Sequence, residues 1–404
     1  MSDKLVLAYS GGLDTSAAIR WLKEKYGYDV IALTIDIGNE RDLDAIREKA
    51  LKIGAIKAIV KDARDIFLSE FVFPALKANA IYEGSYPLAT ALARPLIARL
   101  LVETAREEGA NAIAHGCTGK GNDQVRFDVS VNTLAPDLKI IAPAREWGMT
   151  REDTIKYSAA RGIPVPATVS NPYSVDVNLW GRSIECGVLE DPWVEPPEDV
   201  FAWTRPVGKT PNEPTYVVIG FEKGIPVTLD GKRMDRVPLV QRLSEIAGEN
   251  GVGRIDMIEN RLVGIKSREV YESPAAVVIL TAHQALESLT LSKIQARFKQ
   301  KVAAEYADLV YNGLWFTNLR QDLDAYVEST QRAVSGEVRI KLFKSSCRVV
   351  GRKSGFSLYS FSLATYDKGD VFDQSASPGF IHIWGLPVVL QAQVQKLGQE
   401  KDKT

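Results

Sequence analysis

From Lys4 to about residue 165 the chain alternates between short apolar runs and segments of helical spacing, and this alternation limits the fold more than any other feature. KLVLAY (4–9) reads as a buried strand, and TSAAIRWLKEKY places Ala18, Ile19, Leu22 and Tyr26 on one helical face. DVIALTIDIG follows as a strand, then RDLDAIREKALKIGA as a helix with Leu43, Ile46, Ala50 and Ile53 inward. IKAIVKDA is a third strand, ARDIFLSEFVFPALKANA a helix interrupted near Pro74, and LARPLIARLLVETAREEGA a long helix. ANAIAHG and KIIAP complete the strands, and TREDTIKYSAARG is a helix ending at Gly162. The expected fold is α/β, a Rossmann-like parallel sheet with helices on both faces. Ligands of such sheets bind at the carboxyl ends of the strands. Two glycine-rich stretches, SGGLDTS (10–16) and HGCTGKGNDQ (115–124), follow strands directly and so fall on that same edge.

The Pro- and Ser-rich stretch GIPVPATVSNPYSVDVN (162–178) marks a boundary. Beyond it the texture is α+β. TYVVIGFEKGIPVTLDGKRM predicts a hairpin, and VPLVQRLSEIAGENG a helix closed by Asn-Gly. RIDMIENRLVGIKSREVYESP mixes strand and loop. Long helices follow over roughly 274–330, then the strand pair VRIKLF and SCRVVGRK. The tail LPVVLQAQVQKLGQEKDKT reads as a separate amphipathic helix whose Leu386, Leu390, Val394 and Leu397 form one apolar stripe. The Pro- and Gly-containing SPGFIHIWGLP before it would let it leave its own body.

A net charge of −1 argues against a dedicated nucleic-acid binder. Cys117, Cys186 and Cys347 are scattered, with no CxxC or Cys/His cluster, so neither a disulfide framework nor a metal site is expected. No apolar run approaches the roughly 18 residues that span a bilayer, and the N-terminus lacks a signal-peptide pattern. A cytoplasmic protein with no membrane part is expected.

SGGLDTS suits an anion. Glycine lets backbone approach phosphate closely, a helix beginning near Asp14 offers N–H groups, and Ser10, Thr15 and Ser16 add hydroxyls. The spacing fits neither GxxxxGK[ST] nor GxGxxG, and the usual lysine is missing. A plain strand–helix turn with Asp14 or Thr15 as N-cap is the competing reading.

The loop is similar to the SGGxD[ST] loop of the N-type ATP pyrophosphatases, which cleave ATP between its α and β phosphates. HGCTGKGNDQVRFD (115–128) closely resembles the signature of the argininosuccinate synthase family. Further matches run in order: YPLATALARP (86–95), IAPAREW (141–147), NPYSVDVNLWGRSIE (171–185) and GVGRIDMIENRLVGIKSREVYESPA (251–275). The resemblance implies a ligase that joins citrulline to aspartate through a citrullyl-adenylate, releasing AMP and pyrophosphate. It also implies Mg²⁺ on the phosphates and a homotetramer into which the C-terminal helix reaches. The division implied is a nucleotide-binding domain (1–165), a synthetase domain (166–362) and an oligomerisation tail (363–404).

Carried over by motif, ATP falls to Ala8, Tyr9, Ser10, Gly11, Gly12, Leu13, Asp14, Thr15 and Ser16, with Ile35 and Gly116. Aspartate falls to Thr118, Asn122 and Asp123, the last taken as a lone carboxylate that accepts from the amine. Citrulline falls to Tyr86, Asn122, Arg126, Ser174, Ser183, Glu259 and Tyr271, with Arg126 as a bidentate carboxylate clamp and Glu259 as partner of the α-ammonium. Asp14, Asn122 and Arg126 are the catalytic candidates, and Asp14 either helps hold Mg²⁺ or caps the helix. One departure stands out: many relatives have a serine where this chain has Ala91, and Thr90 beside it is the nearest hydroxyl. Lys120 either faces the phosphates or is solvated. Other readings are a glutamine-dependent amidotransferase, disfavoured because no cysteine precedes Cys117, a tRNA thiolase, or a nucleotide sensor without activity.

Overall fold

β2 (Asp29–Asp36) is buried at every position from Val30 to Ile35, as a strand covered on both faces must be. A computed structural model describes residues 3–39, 42–164 and 172–395, and the chain divides into two units, Met1–Phe356 and Ser357–Thr404. The expected domain boundary at 165/166 lies outside the described residues.

In the first unit β2 is one strand of a parallel sheet with β1 (Lys4–Ala8), β3 (Lys57–Asp62), β4 (Ala112–Ala114) and β5 (Lys139–Ile141), in the order β3-β2-β1-β4-β5. Side chains alternate between its faces. Leu5 and Leu7 pack with Ile19 and Leu22 of helix Leu13–Tyr26, while Val6 joins the opposite core with Leu92 and Leu96 of helix Ala89–Glu108. Each such side chain, fully buried, contributes about 1.5–3 kcal/mol. Helix Leu13–Tyr26 stops at Gly27, whose φ of 76° is left-handed, and Asp42 caps helix Leu43–Ile53 by accepting from the Ala45 N–H.

The interruption expected near Pro74 is present as a change of helix type rather than a break. Helical backbone runs from Arg64 to Ala78, and Phe67–Val72, which ends two residues before Pro74, forms an i→i+5 turn. Proline has no N–H and its ring crowds the carbonyl four residues back; the wider turn makes room for it.

Two antiparallel sheets complete this unit. One has the order β10-β9-β8-β13-β14, built from β8 (Thr215–Glu222), β9 (Ile225–Leu229), β10 (Lys232–Arg233), β13 (Gly336–Phe343) and β14 (Ser346–Lys353). The other, β11-β12-β7-β6, contains β6 (Ser174–Asn178), β7 (Gly181–Glu185), β11 (Arg254–Asn260) and β12 (Lys266–Glu272). It is tied to the parallel sheet through the β6–β7 turn. Trp180 Nε1 donates to the Pro87 carbonyl (3.0 Å), Asn178 Nδ2 to that of Ala89 (2.9 Å), and Leu179 N to that of Ile37 (2.9 Å). β7 and β12 thereby come to stand over the carboxyl edge of the parallel strands.

In the second unit, helix Ser377–Gln395 starts earlier than the sequence suggested, so SPGFIHIWG is helical and Pro387 lies within the helix. Nor is it amphipathic. Phe380, Ile381, Trp384, Val388, Val389 and Val394 are exposed around its circumference, rather than one stripe through Leu386 and Leu390. Leu397 lies outside the described residues. Among the described residues no helix is long and apolar enough to cross a membrane.

Candidate active site

The strand order reverses between β1 and β4, and there the loops after both strands open a crevice. The first loop turns at Gly11, whose φ of 76° belongs to glycine and whose missing Cβ would meet Ile46 at 3.0 Å. Gly12 (φ −70°, ψ 174°) is the N-cap of helix Leu13–Tyr26, without a side-chain cap bond, so neither Asp14 nor Thr15 is the cap. The first-turn N–H groups are left to face the crevice. Ser10 Oγ lies 3.1 Å from Thr15 Oγ1 and accepts from the Gly12 N–H at 3.3 Å. Ser16 differs from the expectation: it is fully buried and bonded to the Tyr9 hydroxyl (3.1 Å), so it holds the loop rather than facing the crevice. A lysine does serve this loop, though not from within the motif. Lys49 reaches across from helix Leu43–Ile53 and donates to the Gly11 carbonyl at 2.8 Å, and burial lowers its pKa.

The second loop approaches so closely that a Cβ on Gly116 would stand 3.0 Å from Thr15 Cγ2. His115 anchors it from within: Cys117 N donates to His115 Nδ1 (3.3 Å), leaving Nε2 to donate to Asp128 (2.7 Å). Ala8, Tyr9, Leu13, Asp14 and Ile35 also line the cleft, while Thr118 is exposed outside it, as is Lys120. Burial raises the Asp14 pKa, with Arg151 opposing.

Asp123 is not a lone carboxylate. It accepts from Arg94 (2.7 Å) and from Arg126 (3.0 Å), and Arg94 also pairs with Asp176. Burial pushes its pKa up, but Arg94 and Arg126 outweigh this and hold it at about 2. Arg126 is likewise committed: Nε donates to the Tyr311 carbonyl (2.9 Å) and Nη1 to Asp123. Among the described residues its buried Nη2 alone has no partner, so it offers a single N–H corner, not the open fork expected. Asn122 donates to the Tyr311 hydroxyl (2.8 Å) and accepts from Leu262 N (2.9 Å).

The antiparallel sheet supplies the opposite wall. Glu259, from β11, is 3% exposed and accepts from the hydroxyls of Tyr271 (2.8 Å) and Tyr311 (2.6 Å). Burial raises its pKa and these hydroxyls oppose the rise. Tyr86 stacks on Tyr271 at 4.3 Å between centroids, and its hydroxyl is held by Thr90, whose N–H donates to it at 2.9 Å. Ser174 and Ser183 line the same wall on β6 and β7. The cleft is also lined by an ionic cluster in which Arg261 bridges Glu185 and Glu269, and burial pushes the Glu269 pKa up.

The cleft therefore has an N–H- and hydroxyl-rich end, with Asp14 as its carboxylate, beside a more heavily charged end, an arrangement suited to a polyphosphate and zwitterionic amino acids. The motif reading missed Arg94, Asp176, Arg261, Glu269 and Tyr311. All but Tyr311 lie inside quoted motifs, yet nothing in the sequence distinguishes them as site residues.

Comparison with known proteins finds matches along nearly the whole chain. Residues 4–164 match the model of the arginosuccinate synthase N-terminal HUP domain, and residues 173–391 that of the arginosuccinate synthase C-terminal domain. An argininosuccinate synthase of Dehalococcoides mccartyi is 66% identical over 401 residues, covering 99% of both chains. One from Gloeobacter violaceus is 59% identical over 394 residues, 97% of this chain and 99% of the relative. Another from Brevibacillus brevis is 56% identical, over 98% and 94%.

Proposed function

The chain belongs to the argininosuccinate synthase family, and from that premise we propose how its cleft divides among three substrates. The activity is a ligation in arginine biosynthesis: citrulline and aspartate are joined using ATP. In our reading ATP enters as its magnesium complex and lays its phosphates on the Gly11–Thr15 turn and Gly116, with the adenine toward Ile35. Asp14 is the carboxylate at that turn that would face the metal. The metal's contribution is neutralisation of phosphate charge. Among the described residues no group of three or more His, Cys, Asp and Glu side chains is placed to hold a metal ion.

Citrulline occupies the wall of Tyr86, Ser174, Ser183, Glu259 and Tyr271. Its α-ammonium meets Glu259, and its carboxylate takes the open Nη2 of Arg126. The ureido oxygen attacks the α-phosphorus, pyrophosphate leaves, and the adenylate then carries AMP as a good leaving group. The amine of aspartate, held near Asn122 and Asp123, attacks the same carbon and displaces AMP. Catalysis here rests on positioning and charge stabilisation. The observation that carries this reading is the meeting of both glycine loops at the β1/β4 switch point, in the cleft that Arg126 and Glu259 also line. Pyrophosphate release with ATP tests it. Release should require citrulline, stop near one equivalent without aspartate, and turn over once aspartate is added; release without citrulline would contradict the order of steps.

Residues 1–165 then serve ATP, residues 166–362 complete the amino-acid sites, and residues 363–404 serve assembly, in a cytoplasmic enzyme that acts on small molecules and not on nucleic acid. A helix apolar all round must be covered in use. We assign that cover to neighbouring copies in a homotetramer. Since the helix begins at Ser377, a chain ending at Ala376 should lose mass in light scattering. A stable tetramer from the shortened chain would contradict the assignment.

A further inference from the structure

Tyr311 ends helix Lys293–Tyr311 and has no exposed surface, yet it touches several side chains assigned to citrulline. Its hydroxyl donates to Glu259 Oε1 (2.6 Å) and accepts from Asn122 Nδ2 (2.8 Å). Its carbonyl accepts from Arg126 Nε (2.9 Å), and the Arg126 guanidinium carbon stands 4.8 Å from its ring centroid. The ring is clamped by Tyr82, stacked at 3.6 Å and 6°, whose hydroxyl donates to the carbonyl of Asn260, next to Glu259. Two residues on, Gly313 turns with φ 76°, and a Cβ there would come within 2.9 Å of Arg126 Cα. The turn is thus pressed onto the backbone that carries the arginine.

Tyr311 does not itself line the cleft. We propose that it is a positioning residue for the citrulline subsite, fixing the aim of Asn122 and Arg126 and keeping Glu259 an anion. This rests on the citrulline assignment of those three side chains. Glu259 sits where burial favours its neutral acid; the phenols of Tyr311 and Tyr271 oppose that, helped by the charges of Arg126 and Arg261, while the neighbouring Glu269 carboxylate works the other way. A protonated Glu259 loses most of its attraction for an α-ammonium. Burial, with Glu259 adding to it, raises the Tyr311 pKa, so its O–H remains a donor. Asn122 and Arg126, four residues apart near the start of helix Asp123–Leu134, are held by the hydroxyl and the carbonyl of one residue. They therefore move together or not at all.

Tyr311→Phe removes the hydroxyl and keeps the ring, the stack and the carbonyl. Loss of a hydrogen bond to a buried charge should raise the KM for citrulline roughly 10- to 100-fold. The KM for ATP should stay within about threefold, because the ATP end shares no partner with Tyr311. The acid limb of kcat/KM for citrulline should move to higher pH, since Glu259 then protonates more readily. A merely structural role would lower the melting temperature and leave that limb in place. Glu259→Gln is the control, expected to weaken citrulline at least as much and to abolish the limb. If Glu259→Gln weakens citrulline while Tyr311→Phe changes neither KM nor the limb, the positioning role is overturned and the site stands. If Glu259→Gln leaves citrulline untouched, both fall.

Discussion

Replacing Asp123 with alanine is expected to cost both stability and the use of aspartate. The carboxylate lies between Arg94 and Arg126, and without it Arg94 keeps Asp176 while the mostly buried Arg126 loses its carboxylate partner. Breaking a buried pair in this way costs about 3–5 kcal/mol, far above the 1 kcal/mol or less of an exposed pair. Asp123→Asn keeps the shape and so separates chemistry from folding. Its kcat/KM for aspartate should fall roughly 10- to 150-fold, the range for losing a charged hydrogen bond, with the KM for ATP little changed. The pH dependence has a definite sign. Since Arg94 and Arg126 hold the folded pKa at about 2, below the ordinary carboxylate value, the stabilisation is full above that ordinary value and is lost as pH falls through about 2. Urea unfolding between neutral and acid pH should show this loss in the parent and not in Asp123→Asn. Steady-state kinetics in which ATP suffered and aspartate did not would refute the assignment.

Glu272→Gln should damage the fold to a similar degree. Glu272 has no exposed side chain and gathers the loop that follows Val200. It accepts from the N–H groups of Ala202, Trp203 and Thr204, each at 2.9 Å, and from the Thr204 hydroxyl and Arg182, each at 2.8 Å. An amide in its place turns an NH₂ toward these donors and removes the charge that Arg182 pairs with. The expected loss is about 3–5 kcal/mol in denaturant unfolding. By contrast Glu198→Gln, which breaks a pair to Arg254 whose acid is 60% exposed, should cost about 1 kcal/mol or less. Because Tyr271 and Ser183 pair across β12 and β7 next to Glu272–Arg182, the damage should also reach the citrulline wall. Similar midpoints for the two variants would show that the loop is held by other means.

Much of this architecture was legible because it is local. Strand–helix alternation fixed the parallel sheet, and two glycine runs after strands marked its working edge. The motif match brought Arg126, Glu259, Tyr86 and Tyr271 to one cleft. What escaped depends on partners distant in the chain. Asp123 looks like a free carboxylate until Arg94 and Asp176 arrive from other elements, and Arg126 looks like an open fork until Tyr311 takes one corner. Lys49 supplies the loop with a lysine from the next helix, which a motif spacing does not register. In the tail, Pro378, Gly379, Gly385 and Pro387 read as breakers, yet helix Ser377–Gln395 includes them all, because local propensity is a weak prior.

The most direct test of the central claim, that citrulline is activated by AMP before aspartate attacks, is the fate of its ureido oxygen. Citrulline labelled there with heavy oxygen is turned over with ATP and aspartate, and the AMP and pyrophosphate are weighed by mass spectrometry. The label should appear in AMP and not in pyrophosphate. Unlabelled AMP, with the heavy oxygen in water or pyrophosphate, would contradict the adenylate route.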